Sequence, residues 1–576
     1  MNLSVTGQRT ASRRASGLGR WVLVAPLAAL VAIFLVWPLV DVMLRSVSPE
    51  GSLGPDTGGF TMDHYRAIVD SSVLRLIVVE TLRIALLATI VTLIASFPVA
   101  YLMSRLTGRL ASIMLVLVMT PFWVSILVRL FATQQILGRQ GVINYLFGLI
   151  GMEPRSLLFN TLATVIGMAV YLVPYMVLML YAGMAGVDTT LVTAARTLGA
   201  SRSRAFLTIY LPQLRSTIVG ATLLVFVLSG GFFLTPAILG GPRNVTIATY
   251  IQQQINIGKW GVASAVGIVL LVVTLAGYLL ALRLGGRSLF VVSNTTTRRG
   301  AQEPLSRSPG TFALVLFSFV VIGALLLPLA IVIPSSFGSS PYLSFPPSDL
   351  TLRWFGEVLG NDVWRGPLLK SLWIGLGSAA VAVIAGLIAA HLVTQVSSRR
   401  VASLIYGVCY APLIVPVVLL AIGIYDTELK MSLDGTAVGL ILPHAVLALP
   451  FTFTVFLIAL GNLDPSLEPA AQSLGAPRWV AFLTVVLPNI TVALLGAFVV
   501  GFVTSWDEVV IALFQVGFNE TLPVAIYAQI KSGVTPEVSA VATLLILTEL
   551  LLVLALVCLP IVARSILRAL RGTPSN

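Results

Sequence analysis

The chain alternates long apolar runs with short polar breaks. Runs at about 21–44, 73–103, 110–137, 158–184, 213–240 and 262–284 are each long enough for a helix that crosses a bilayer. A second set follows at about 312–334, 368–396, 401–425, 435–461, 489–514 and 537–563. Between the sets lies 285–311, a polar stretch rich in Ser, Thr, Arg and Gly that reads as a linker. The pattern predicts an all-α polytopic membrane protein of about 12 transmembrane helices. Its two six-helix domains lie at 21–284 and 312–563, with tails at 1–20 and 564–576.

Composition agrees. The 576 residues are 57% hydrophobic and only 10% charged, with a mean hydropathy of +0.99, whereas soluble domains carry about 25% charged residues. A water-soluble globule and a disordered chain are both excluded. Three His and two Cys argue against a metal or redox centre. Cys409 and Cys558 both lie in apolar runs, so a disulfide framework is not expected.

The net charge of +13 is spread over loops rather than held in one basic block, which points to membrane topology and not to nucleic acid. The two tails, the linker and the segments 104–109, 185–215, 397–400 and 464–478 hold 21 of the 35 basic residues and 4 of the 22 acidic ones, counting Arg283 with the linker. This bias predicts that both termini are cytoplasmic and that 46–72 and 335–367 face outside. Arg9, Arg13, Arg14 and Arg20 precede the first apolar run with no small-residue cleavage site after it, so that run reads as a retained helix.

Two of the segments assigned to the cytoplasm are copies of each other. Asp188–Pro212 and Asp464–Pro488 align without a gap at an offset of 276 residues, with 14 of 25 positions identical. Each falls between the fourth and fifth helices of its half. The matches include Asp188/Asp464, Gly199/Gly475, Arg202/Arg478 and Pro212/Pro488. The Asp residues suit a helix N-cap, with Pro465 at the first helical position. A helix of about ten residues follows, and Gly199 and Gly475 can end it in a left-handed C-cap. Ala194–Ala195 and Ala470–Ala471 give each helix a face with almost no bulk. Leu198, Phe206 and Leu207, with Leu474, Phe482 and Leu483, supply apolar anchors. Such an elbow is a docking element.

The spacing Ala-Ala, three residues, Gly, nine residues, aliphatic-x-Leu-Pro resembles the coupling-helix motif of ABC importer permeases. The matching positions are Ala194, Ala195, Gly199, Ile209, Leu211 and Pro212, and again Ala470, Ala471, Gly475, Val485, Leu487 and Pro488. The motif's acidic first position is Thr193 in one copy and Pro469 in the other, with Glu468 adjacent. The stretches 121–132, 138–147 and 230–244 look like the first permease subunit of spermidine/putrescine importers, and 339–355, 411–425 and 504–514 like the second. The resemblance implies a type I importer permease fold in which two usually separate subunits are fused. It also implies two copies of a cytoplasmic ATPase, which would bind the ATP and Mg, a solute-binding protein outside, and location in a bacterial inner membrane. Polyamines are the expected solute; ferric iron, thiamine, an aminophosphonate or an amino-acid-like solute are the alternatives.

No G-x-x-x-x-G-K-[ST] phosphate loop is present. The chain is therefore expected to lack a cofactor and enzymatic activity of its own. An ion-driven carrier with two six-helix repeats is the competing class, but it has no use for duplicated docking elbows. For the solute path the candidates are Asp507 and Glu508 beside Trp506, since charges within a membrane are costly and mark paths or partners. At the repeat offset these three fall on Gly230, Gly231 and Phe232, so Phe232 and Phe233 are expected to face them. The alternative is a structural ion pair between Asp507 or Glu508 and Arg129. Glu80, Arg83, His391, His444 and Glu549 are expected to make helix–helix hydrogen bonds or to lie at the interface.

Overall fold

A computed structural model describes residues 24–50, 59–285, 308–340, 346–347, 349–396, 398–515, 520–533 and 535–570. The tail at 1–20, the end of the tail at 564–576 and most of the 285–311 linker lie outside these residues. In chain order the first six spans are α1 (Val24–Ser46), α2 (Ser72–Arg105), the pair α3 (Gly108–Trp123 with Ile126–Leu149), α4 (Thr161–Ala185), the pair α5 (Arg202–Gln213 with Arg215–Gly230) and α6 (Trp260–Leu284). The next five are α7 (Pro309–Ser335), α8 (Asp362–Gln395), the pair α9 (Arg399–Ile414 with Val417–Met431), α10 (Ala437–Gly461) and α11 (Thr491–Phe514). The last is the 35-residue helix α12 (Pro536–Leu570). Eight of these are single helices long and apolar enough to cross a membrane, and three are pairs bent by 96°, 64° and 101°. Counting each bent pair once gives up to eleven candidate spans among the described residues, and α12 follows the last of them. Apart from an isolated bridge between Gly338 and Leu350, the described residues form no β structure.

Local chemistry sets the boundaries. Ser71 caps α2 by accepting from the Leu74 amide, and Asn160 caps α4 by accepting from Ala163. α3 breaks after a 3₁₀ turn carrying Pro121, and Ser125 recaps the second piece. α9 breaks before Pro416, which pushes Val415 into an extended conformation. Along α2, Leu76, Val79, Leu86, Ile90 and Ile94 are exposed, while Ile77, Ile84, Ala88 and Val99 are buried. The outer stripe is what a helix presents to lipid.

The compact units are not the sequential halves 21–284 and 312–563. One unit runs from Leu44 to Asn361 and adds Ile526–Ile546. Its core joins α2, α4 and α5 through Met103, Met168, Met176, Leu180, Tyr210 and Val225, and α7 contributes Ile322 and Leu325. The other unit contains α1 as far as Met43, residues 362–525, and the chain from Leu547. There α8 and α10 meet on Ala382, Ala445 and Ala448. A Cβ on Gly386 would lie 2.5 Å from Thr452 Oγ1, whose hydroxyl donates to the Ala382 carbonyl at 2.9 Å. Within this unit α1 packs on α9. The Pro38 carbonyl lies so close to Gly423 that a Cβ would sit 2.3 Å from the oxygen. Asp41 also pairs with Lys430, which reaches Asp426 at 2.7 Å. Each half's opening helix is thus part of the unit built mainly from the other half. Small residues permit these close backbone approaches where lipid supplies no hydrophobic drive.

Candidate functional site

The duplicated elbows have nearly the same geometry. Asp188 Oδ1 accepts from the Thr190 amide at 2.9 Å and from its hydroxyl at 2.6 Å, capping the helix Thr189–Thr197. Asp464 makes the equivalent bonds to Ser466, at 2.9 and 2.7 Å. These bonds hold both carboxyls below their ordinary range. The second helix starts later than expected, at Leu467, and runs only to Ser473. Asp464 therefore caps a turn ahead of the helix rather than the helix itself, and Pro465 lies in that turn. With its fixed φ and no N–H, Pro465 fits the turn as well as it would a first helical residue.

Both helices end in the same way. Gly199 has φ +94° and Gly475 φ +95°. The Ala200 amide reaches back to the Ala195 carbonyl, and Ala476 to Ala471, at 3.0 and 3.1 Å. The glycine amides bond Arg196 and Gln472, each at 3.0 Å. This is the Schellman closure that favours glycine. Ala194 and Ala470 are exposed, while Ala195 and Ala471 are half-buried. Arg202 and Arg478 each begin a four-residue helix and are exposed.

The apolar anchors separate into two kinds. Phe206 is half-buried and packs edge-on against Tyr101, with ring centres 5.7 Å apart; Phe482 packs on His391 at 4.7 Å. Leu198 and Leu474, by contrast, are 89% and 90% exposed, so they root nothing within the chain. After the anchors each copy forms a π-helical turn, Phe206–Tyr210 and Phe482–Val486, ahead of Pro212 or Pro488. Each turn ends two residues ahead of its proline, which lacks the amide of a regular helix position. The Ile209 and Val485 carbonyls accept from the side-chain amides of Gln213 and Asn489.

The candidate path residues fall into two clusters, one in each unit. In the first, Arg129 is 5% exposed and lies over the Tyr171 ring at 4.8 Å, with no hydrogen bond to its Nε. Phe232 contacts the same ring at 5.1 Å. Tyr175 stacks obliquely on Tyr171 and meets Phe122 at 4.5 Å. Phe233 is buried at the start of the short helix Leu234–Leu239. In the second cluster, Trp506 is buried and stacks on Phe502 at 5.2 Å. Asp507 is half-buried just after the first segment of α11.

Glu508 is buried and mainly serves the backbone. It accepts from the amides of Val510 and Ile511 at 2.8 and 2.9 Å and from Ala512 at 3.2 Å. Its ionic contact is His444, at 3.3 Å, whose Nδ1 meets the Ser505 hydroxyl. The basic group beside Glu508 is thus the His444 imidazole, which pairs with it ionically when protonated, while Arg129 lies against an aromatic face. Sequence reasoning missed Tyr171 and Tyr175. Their four-residue spacing puts them on one helix face, but nothing in the sequence ties that face to Arg129. Glu80 and Arg83 pair at 3.3 Å and bond Asn244 and Thr161, as expected of helix–helix polar contacts.

A family model described as the inner membrane component of binding-protein-dependent transport systems matches residues 58–287 and again 382–571. The chain belongs to this family. It carries the permease unit twice in one polypeptide and has the all-α, multi-pass architecture of an ABC importer permease. The spermidine/putrescine permease PotB of Escherichia coli K12 is 31% identical over 217 residues, 37% of this chain and 78% of PotB. PotB of Salmonella typhimurium LT2 gives the same identity over 75% of its length. The putrescine permease PotI of E. coli K12 is 30% identical over 250 residues, 42% of this chain and 88% of PotI. Among solved structures, a chain of a bacterial alginate ABC transporter crystallised with its alginate-bound periplasmic protein has 19% identity and a TM-score of 0.39, covering 49% of this chain and 98% of that one.

Proposed function

We propose that this chain forms the path through the inner membrane for a small solute, with each elbow gripped by one copy of a separate ATPase. The elbows support this reading most directly. Two short helices with left-handed glycine ends each present a leucine about nine-tenths exposed beside a small-residue face. An exposed leucine at a repeated position suits burial by a partner. ATP and Mg then belong to the ATPase, both termini face the cytoplasm, and an external binding protein delivers the solute. Movement of both elbows on ATPase closure would switch the path between the two faces of the membrane.

Two experiments test this reading. Purification with a tagged ATPase should give two ATPase copies per chain; a one-to-one complex would contradict it. Gly199→Val and Gly475→Val should each uncouple uptake from ATP hydrolysis, because a β-branched residue is strained at positive φ by about 1–2 kcal/mol. Unchanged coupling in both variants would remove the docking role.

Polyamines are the proposed solute, on the strength of the PotB and PotI relatives. Arg129 favours a second reading. A buried guanidinium whose Nε makes no hydrogen bond suits a solute with a carboxylate or phosphonate group. Uptake of labelled putrescine measured beside an amino acid and an aminophosphonate separates the two.

A further inference from the structure

The two elbows share a backbone but not a joint. The second spans of the two halves, α2 and α8, end in register at an offset of 290 residues. In each, the hydroxyl at the penultimate position (Ser104, Thr394) donates to the carbonyl three residues back (Tyr101, His391), both at 2.8 Å. Tyr101 and His391 then each receive the elbow phenylalanine. Beyond that contact the chemistry differs.

In the first half Arg105 lies over both Tyr101 and Tyr210, at 5.1 and 5.3 Å. Val192 packs against the apolar core. In the second half Gln395 stands at the position of Arg105, and Glu468 at that of Val192. The Gln395 amide donates to His391 Nε2 at 2.8 Å and to Glu468 Oε1 at 3.4 Å. An amide nitrogen can only donate, so this imidazole nitrogen accepts. Gln472, within the elbow helix, donates to the same Glu468 oxygen at 3.3 Å. Beside these groups lies a cavity of about 340 Å³, also lined by Asp464 and Arg478.

We propose that Glu468 is a positioning residue that ties the second elbow to the end of α8, so that the two elbows are held by different joints: a guanidinium between tyrosines in one, and a carboxylate shared by two amides in the other. The idea rests on the elbows being ATPase docking elements, and it adds how each is coupled to its own membrane helix. The carboxylate adjacent to the motif's missing acid is engaged within the chain. It acts there as an acceptor, not as a charge held out to a partner.

The test uses the full chain in lipid nanodiscs, with Cys409→Ser and Cys558→Ser, and a spin label on Leu474→Cys or Leu198→Cys. Glu468→Ala and Gln395→Ala should each mobilise the label at 474, and the double variant should do no more than either alone. The label at 198 should not respond. Glu468→Gln keeps an acceptor oxygen and should leave the 474 spectrum as in the parent. A Glu468→Gln spectrum as mobile as that of Glu468→Ala, or no response at 474 to either alanine variant, would overturn the joint. Adding the ATPase tests the underlying reading separately. Both labels should become immobilised; if neither does, docking fails whatever the variants show.

Discussion

Glu508 is a side chain of which the sequence allows two readings. A carboxylate in an apolar run marks either a path or a structural partner. Here both oxygens accept buried backbone amides, and one also meets His444. Removing the carboxylate strands those donors, at about 1–3 kcal/mol for a buried group left unsatisfied. Glu508→Ala should therefore lower the melting temperature of the purified chain, and Glu508→Gln, which keeps one acceptor, should lower it less. Equal melting temperatures for Glu508→Ala and the parent would show that the cap contributes nothing. At the elbows, Asp188 offers a pH test. Its pKa is lowered in the folded chain by its bonds to Thr190, so the cap stabilises the helix above the ordinary carboxylate range and is lost as pH falls through the lowered value. Hydrogen exchange at the Thr190 amide, corrected for intrinsic rates, should lose protection on acidification below the ordinary carboxylate range. The same amide in Asp188→Asn should change little over that range. The cap, the glycine end and the proline were all legible as residue types. That Asp464 caps a turn and not the helix was not legible, because Pro465 is compatible with both.

The elements themselves were largely written in the hydropathy pattern, since a span needs only length and apolarity to declare itself. Breaks within spans were harder to see. α3 and α9 each read as one apolar run, yet they bend by 96° and 101°. Pro121 and Pro416 remove amides, and where the chain turns depends on what recaps it. The π-helical turns at Phe206–Tyr210 and Phe482–Val486 were also invisible: each lies just ahead of a proline, but Pro98 and Pro174 sit inside uninterrupted α-helices, so a proline alone does not announce such a turn. Packing between elements gives a direct prediction. A side chain at Gly423 would collide with the Pro38 backbone, whereas Gly407, earlier in α9, has open space around its α-carbon. Gly423→Val should destabilise the chain by at least the roughly 1–3 kcal/mol typical of overpacking. Gly407→Val should leave the melting temperature within the small range typical of exposed substitutions.

At the scale of the whole molecule, the two permease units are covalently one chain, yet each compact unit draws helices from both halves. A half expressed alone would lack the helix that completes its unit and would expose small-residue faces to lipid. Cutting the chain after Thr296, in the linker, should therefore give two fragments that assemble when co-expressed and are degraded when expressed singly. Membrane fractionation and co-purification read the result, and a stable single half would contradict it.

The sequence by itself determined that this is an all-α, multi-pass membrane protein with a duplicated plan and a duplicated elbow, because hydropathy, charge bias and repeat identity are local properties that survive without knowledge of neighbours. Only the tertiary structure decided which unit each opening helix joins, which residue pairs with Glu508, what Arg129 rests on and how each elbow is tied to its span. An apolar stripe or a lone charge specifies that it needs a partner; the partner's identity comes from the close approach of surfaces distant in the chain.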